Sequence, residues 1–288
     1  MLSSFLKHQD IPEVREMCEN LSLLKRRIVA ENLNDPFFEY QCIKTKLAAL
    51  KDWALARNDE KFANSQLVFE RYFLIFCNLA KYRNCLLCGD YRKSWNVLQD
   101  CLDNARFVGR FTPIERRLDV PSIVSLLEDY EHLYPYTLFF SSEFVVSKSH
   151  CSICGKSMQN LSCRHRKGEI YRGEVATEIV DDIREIQAIC IVKNPDNKRC
   201  VFENINGKPL SFNMLEDFLD LGFPWLQRFS IKKEVELKTN TNIKRTSRNN
   251  PCTCGSGLKF KKCCGKNMYH DHLRCTVIPG AQVDLAMI

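Results

Sequence analysis

Through the first half of the chain, apolar residues recur at intervals of three and four. Phe37, Tyr40, Ile43, Leu47, Leu50 and Ala54 share one face of a helix that this spacing predicts from Asp35-Pro36 to about Arg57, with Asp35 as its cap. Ile11-Pro12-Glu13 marks an earlier helix start, with proline in the first turn. Residues 61–88 give a third helix. Its centre, from Leu67 to Cys77, is apolar almost all round, which suits the middle of a bundle. Gly89-Asp90 interrupts the pattern. Residues 91–108 resume it, with Trp95, Leu98, Leu102 and Ala105 on one stripe, and a further helix is predicted over 121–132.

The period changes near Tyr134. Residues 138–146 are rich in aromatic and β-branched side chains and read as a strand. Residues 187–193 and 199–203 read as two more, and Asn194-Pro195-Asp196-Asn197 between them supplies turn chemistry, so the two are expected to form a hairpin. Residues 212–221 predict a short amphipathic helix. Residues 238–250 are polar and basic, lack an apolar period, and read as a linker.

The 288 residues exceed one typical core and suffice for two modest domains. Hydrophobic residues at 45% and charged residues at 27% are ordinary for a soluble globular chain. No apolar run approaches the ~20 residues of a membrane span. The first ten residues lack a basic stretch followed by an apolar core, so no secretory signal is read there and a cytoplasmic location is expected. In such a reducing compartment, 16 cysteines point to metal ligands and buried thiols rather than disulfides.

The net charge of +7 is not evenly spread. Between Leu237 and His270 there are eight Lys or Arg residues and no Asp or Glu, which leaves 34 basic against 35 acidic residues elsewhere. The basic excess is therefore local to one cysteine cluster. A local field of that kind suits an anionic partner, whether nucleic acid, a ribosome surface or an acidic protein patch.

That cluster runs from Arg248 to Gly265: Cys252-Thr253-Cys254-Gly-Ser-Gly, then Lys259, Phe260, Lys261, Lys262 and the pair Cys263-Cys264. Zinc takes four soft ligands in a tetrahedron. Cysteines at i and i+2 on extended backbone point the same way, and Gly255 and Gly257 permit the reversal that returns the second pair. Phe260 can cover the apolar side of the metal, while Lys259, Lys261 and Lys262 offset the charge of a four-thiolate site and face solvent. The stretch closely resembles the SEC-C motif, the zinc-binding tail of the SecA translocase that also occurs in many other bacterial proteins. The resemblance rests on the leading Arg-Asn-x-Pro, Cys-x-Cys-Gly-Ser-Gly, Lys-x-Lys-Lys and Cys-Cys-Gly, and covers about 18 residues. Thr253 stands where proline is commoner, and Cys264 where some members have histidine. The resemblance implies a binding role, since the SecA module faces the SecB chaperone and the ribosome; appended to varied domains elsewhere, it names no activity.

A second cluster is Cys151-Ser-Ile-Cys154-Gly155 followed by Cys163 and His165. Cys-x-x-Cys-Gly is a metal knuckle whose turn aims two sulfurs at one point, and Cys163 with His165 completes a Cys3His set; His150 is a rival fourth ligand. With all four positions filled by protein, a structural zinc is expected rather than a catalytic one. Cys85-Leu-Leu-Cys88-Gly89 has the same knuckle spacing, but it ends an apolar helix without a second ligand pair, so buried thiols are favoured there. Asp181, Asp182 and Glu185 are adjacent carboxylates without a nucleophile nearby and read as a solvated face.

The fold class expected is α+β. A helical domain over 1–133 is followed by a zinc-stapled α+β domain over 134–236, a basic linker over 237–247, the SEC-C-like module over 248–266 and a tail over 267–288. The function expected is that of a zinc-binding, non-enzymatic adaptor. Its basic module, with Arg248, Lys259, Lys261 and Lys262 as contact residues, would dock on a ribosome, a chaperone or translocation component, or another acidic surface. No catalytic residue is assigned. The alternative is a metal-dependent nuclease or nucleic-acid-binding protein using the central cluster, whose Cys-x-x-Cys and following His are superficially similar to HNH nucleases; their further Asn and His are not seen after His165.

Overall fold

The structure is a computed structural model describing residues 1–288 except 34, 36, 117, 159–161, 206–207, 240–245, 268 and 286–288. Helices and small sheets are mixed, and the chain divides into two compact units, Met1–Gln227 with Gln282–Ile288, and Arg228–Ala281. This division is drawn differently from the five segments read along the sequence.

The first unit holds α1 (Leu2–Phe5), α2 (Pro12–Val29), α3 (Phe38–Ala56), α4 (Glu60–Leu87), α5 (Tyr91–Phe111) and α6 (Val120–Glu131). With 28 residues, α4 is ~42 Å long at ~1.5 Å per residue. Phe69, Tyr72, Phe73, Ile75, Phe76, Leu79 and Tyr82 are fully buried and point to every side of it, so its all-round apolar sequence is the bundle's core. α2, α3 and α5 pack around it. Asp59 and Asp90 cap α4 and α5, accepting from Phe62 N–H at 2.9 Å and Lys93 N–H at 3.3 Å.

Three helices end in the same way. After α4, Gly89 takes φ +70°, its N–H donates to Leu86 O, and Asp90 N–H donates to Cys85 O at 2.9 Å. Asn58 and Glu31 play the part of Gly89 after α3 and α2, at φ +57° and +52°. Cys85-x-x-Cys88-Gly89 is thus a helix-ending signature, with Cys85 buried and Cys88 exposed. α3 begins later than its sequence indicates. Asp35 lies in the left-handed region at φ +44°, outside the helix, where its carboxylate accepts from Phe37 N–H at 3.3 Å. The helix starts at Phe38.

Inside the bundle, Lys25 of α2 lies 3.0 Å from Asp119, and both side chains are fully buried. Tyr72 of α4 accepts from Lys25 at 2.9 Å and donates to Asp119 at 2.7 Å. Burial lowers the Lys25 ammonium's pKa, against the pull of Asp119, and pushes the Tyr72 phenol well up.

The rest of the first unit comprises β1 (Phe139–Cys151), β2 (Ile170–Tyr171), β3 (Glu174–Val175), β4 (Glu178–Val192), β5 (Asn204–Ile205), β6 (Lys208–Pro209) and α7 (Asn213–Asp220), whose Phe218 packs edge-on against Tyr130. β1 and β4 form a long antiparallel ribbon, with Phe139 opposite Val192 and Cys151 opposite Glu178. This corrects the hairpin expected between 187–193 and 199–203. Segment 199–203 meets the ribbon through a bridge from Val201 to Phe139 and a hydrogen bond from Phe140 N–H to Cys200 O at 2.8 Å, not through a ladder with 187–193. Side chains pull it to α5 instead: Arg199 pairs with Asp100 and Asp103 at 2.6 and 2.9 Å, and Trp95 donates to Lys198 O at 2.8 Å.

In the second unit β7 (Gln227–Thr239) pairs with β8 (Tyr269–Gln282), and the cysteine module lies between them in sequence. Residues 237–239 of the expected linker therefore continue a strand, while 240–245 fall outside the described residues. Most of the expected tail is β8. Among the described residues no helix is long and apolar enough to cross a membrane.

Candidate metal centres

In the C-terminal cluster the chain first doubles back on itself. Pro251 bridges Lys259, Phe260 N–H donates to Asn250 O at 2.8 Å, Lys261 N–H to Arg248 O at 3.0 Å and Cys252 N–H to Leu258 O at 2.8 Å. The reversal passes through Gly255 at φ +80° and Gly257 at φ +71°, a region that side-chain-bearing residues avoid. A 3₁₀ turn at Phe260–Lys262 then carries Cys263 and Cys264 back to the first pair. Phe260 is 3% exposed and forms the module's small core.

The result is convergence of four sulfurs. Those of Cys252, Cys254, Cys263 and Cys264 all lie within 4.8 Å of one another. Cys254 and Cys263 are 3.5 Å apart, and Cys263 and Cys264 4.0 Å. A tetrahedron with ~2.3 Å metal–sulfur bonds has edges of about 3.8 Å, whereas a disulfide is ~2.05 Å. The spacing suits a shared ion and excludes bonded pairs, in keeping with every cysteine being free.

Two contributors escaped the sequence reading. Ser256 donates to Cys263 Sγ at 3.1 Å, and with its hydroxyl and backbone N–H it heads the interactions that lower the Cys254 thiol to about 6. Gly265 is required because a Cβ there would lie 2.6 Å from Phe260 O. The Gly-Ser-Gly and Cys-Cys-Gly runs were the available signals. Cys264, facing the Cys252 and Cys254 sulfurs, is pushed up to about 12. Four sulfurs this close cannot all ionise unaided, and a divalent cation removes that conflict.

The central cluster is built into the ribbon. Cys151 ends β1, and its N–H donates to Lys156 O at 2.8 Å while its own carbonyl accepts from Gly155 at φ +69°, which closes the knuckle. Cys151, Cys154, Cys163 and His165 bring their ligand atoms within 4.8 Å of one another. Cys154 and Cys163 are 3.7 Å apart, and His165 Nδ1 is 3.7 Å from Cys151 Sγ and 3.8 Å from Cys163 Sγ. Burial opposes ionisation of Cys151, but hydrogen bonds from the Ile153 and Cys154 backbone outweigh it and lower its pKa. The edge of Tyr171 holds the His165 ring, 4.6 Å between centroids. His150, the rival ligand, stands outside the group; its Nδ1 is 2.8 Å from Asp181 Oδ2.

The loop after this cluster is clamped to the helices. Arg172 and Gly173, both at positive φ, turn β2 into β3. Asn64 of α4 accepts from Gly173 N–H at 2.7 Å and donates to Ile170 O at 3.4 Å. Lys51 pairs with Glu174 and Arg110 with Glu169, each at 2.6 Å.

The carboxylates Asp181, Asp182 and Glu185 lie on β4, where His150 partners Asp181 and the Ser147 hydroxyl donates to Asp182. Cys85 and Cys88 join no metal-type group among the described residues.

Residues 248–266 match the family model of the SEC-C motif. The protein translocase subunit SecA of Geotalea uraniireducens is 47% identical over 38 residues, 13% of this chain and 4% of that one. SecA of Thermodesulfovibrio yellowstonii is 71% identical over 24 residues, 8% and 3% of the two chains. UPF0225 protein VP1145 of Vibrio parahaemolyticus is 36% identical over 108 residues, 37% of this chain and 60% of that protein. The chain thus spans only a small share of the SecA sequences it matches. No solved structure matches it.

Proposed function

From the SEC-C motif as premise, we propose that this is a cytoplasmic, non-enzymatic zinc protein that uses its C-terminal module to dock on an acidic partner. Zinc is the ion the donor sets favour. Four thiolates, or three with an imidazole, at tetrahedral spacing suit zinc above the harder divalent cations. Cys252, Cys254, Cys263 and Cys264 hold one ion and Cys151, Cys154, Cys163 and His165 a second. When bound, zinc supplies cross-linking and charge neutralisation.

The observation that carries the reading is the surface around the first site. Arg248, Lys259, Lys261 and Lys262 are all exposed, and the backbone bonds between 248–252 and 258–261 fix them in one array. The partner is a ribosome, a chaperone or a translocation component presenting acidic groups. The nuclease alternative finds no support in the central cluster, where protein fills all four positions and leaves none for water or substrate.

The test compares three proteins, each prepared with zinc present, for binding to purified ribosomes and to the chaperone SecB. These are the wild type, the triple variant Lys259→Glu, Lys261→Glu, Lys262→Glu, and the double variant Cys252→Ser, Cys254→Ser. The expected result is binding by the wild type that weakens with salt, loss in both variants, and unchanged metal content in the triple variant alone. Binding that survives in both variants refutes the proposal, and competition by free RNA would turn it toward nucleic acid.

A further inference from the structure

The β1–β4 ribbon carries an apolar face that neither metal centre uses. β4 places isoleucine at 183, 186, 189 and 191, a spacing that a regular strand would scatter over both faces. Two bulges prevent this. With Gln187 and Arg184 as extra residues, Ile191, Ile189, Ile186 and Ile183 fall opposite Phe140, Ser142, Phe144 and Val146. Directly opposed residues share a face, so the bulges gather the apolar side chains onto one side.

That side is open to solvent. Exposure rises from 42% at Phe140 to 68% at Ile189, and Phe144, Ile183, Ile186 and Ile191 lie between; Phe140 is partly covered by Phe202. Burial returns only at the ribbon's ends, at Phe139, Ser149 and Cys151. A two-stranded ribbon whose apolar face is left this exposed is marginal in water. At about 200 Å² per fully exposed large apolar residue, these six present about 650 Å². That exceeds the ~300–600 Å² of a typical monomer's largest patch and approaches the ~800 Å² per partner of a standard interface.

We infer that this face is a homodimer interface, in which the β1–β4 ribbons of two copies of the chain pack face to face across a twofold axis. The stripe's eight positions hold no ionisable side chain, so it selects neither an acidic nor a basic partner. An uncharged stripe is its own complement, and a twofold axis lays each copy's phenylalanines over the other's isoleucines without charge conflict. A second copy also supplies the matching area.

Sedimentation equilibrium of the zinc-loaded full chain across a concentration series tests this. The wild type is expected to approach twice the chain's 33.6 kDa. Ile186→Glu with Ile189→Glu is expected to raise the dimer dissociation constant by more than about 100-fold with an unchanged helical circular dichroism signal. If that variant does not fold, a photo-crosslinking residue at position 189 of an otherwise wild-type chain replaces it, and a dimer-mass adduct is the supporting result. A monomer at every concentration, dissociation unaltered in the folded double variant, or no dimer-mass adduct overturns the inference.

Discussion

Replacing Cys252 and Cys254 by serine removes two of the four sulfurs that gather the C-terminal module, and the structure fixes what must follow. Within 248–266 only Cys252 and Phe260 are buried among the described residues. Burial of Phe260 contributes about 1.5–3 kcal/mol. Each internal backbone hydrogen bond adds about 0.5–1.5 kcal/mol. A structural zinc contributes ~10–16 kcal/mol, so the ion outweighs the phenylalanine several-fold and the module cannot hold its shape without it. The sensitive reporters are the Cys252, Phe260 and Lys261 amides, which donate to Leu258, Asn250 and Arg248. Losing even 5 kcal/mol of local stability raises amide exchange there by more than about 10³-fold. Hydrogen-exchange mass spectrometry of peptides spanning 248–266 reads this directly, with peptides from α4 as the control that should not change. Chelation of the wild type should reproduce the effect. Unchanged protection in 248–266 after metal loss has been verified would refute the reasoning, because some contact other than the metal would then be organising the module.

Asp119→Ala should leave the buried Lys25 ammonium without its carboxylate counter-charge and lower stability by about 3–5 kcal/mol, read from the urea midpoint. Lys25→Met with Asp119→Leu should recover most of that loss, and a double variant as unstable as the single one would show that the pair's charge is not the cause. Gly265→Ala places a Cβ 2.6 Å from Phe260 O, so the closing turn must move. Its metal affinity in a chelator competition should fall at least ~10-fold, and equal affinity would show that the turn relaxes freely.

What could be read from the sequence was the local part. The all-round apolar centre of α4 and the cysteine spacings each act within a few residues, and each appears in the structure where its chemistry places it; the cap read at Asp35 does not, and the caps at Asp59 and Asp90 were not read. Helix ends were legible at Gly89 and, from the apolar spacing, near Arg57; that Glu31 and Asn58 would take the left-handed conformation was not, because no glycine marks those positions. Strand pairing was misread for a related reason. β4's true partner lies beyond the whole cysteine insertion, while a well-formed turn sequence at 194–197 pointed to the nearer but wrong one. The bulges at Gln187 and Arg184 are a property of two paired strands and leave no mark in either alone. Gly265 looked like a motif letter until the approach of Phe260 O gave it a steric reason.

On the proposed reading, ions at the two centres would hold different things together. The ligands of the C-terminal site come from Cys252–Cys264, and the backbone hydrogen bonds that shape it run between residues 248 and 266. An ion there organises a self-contained peptide whose exposed lysines are its product. The central site closes the long insertion between β1 and β4, and the same insertion reaches α4 through Asn64 and α5 through Arg110. An ion there would fix one end of the ribbon to the helices. Loss of the first should therefore be felt only in the module. Loss of the second should propagate through the Asn64 clamp into the ribbon and the helix ends it touches. Substitutions at Cys254 and at Cys163 thus separate a metal that shapes a surface from one that braces a framework.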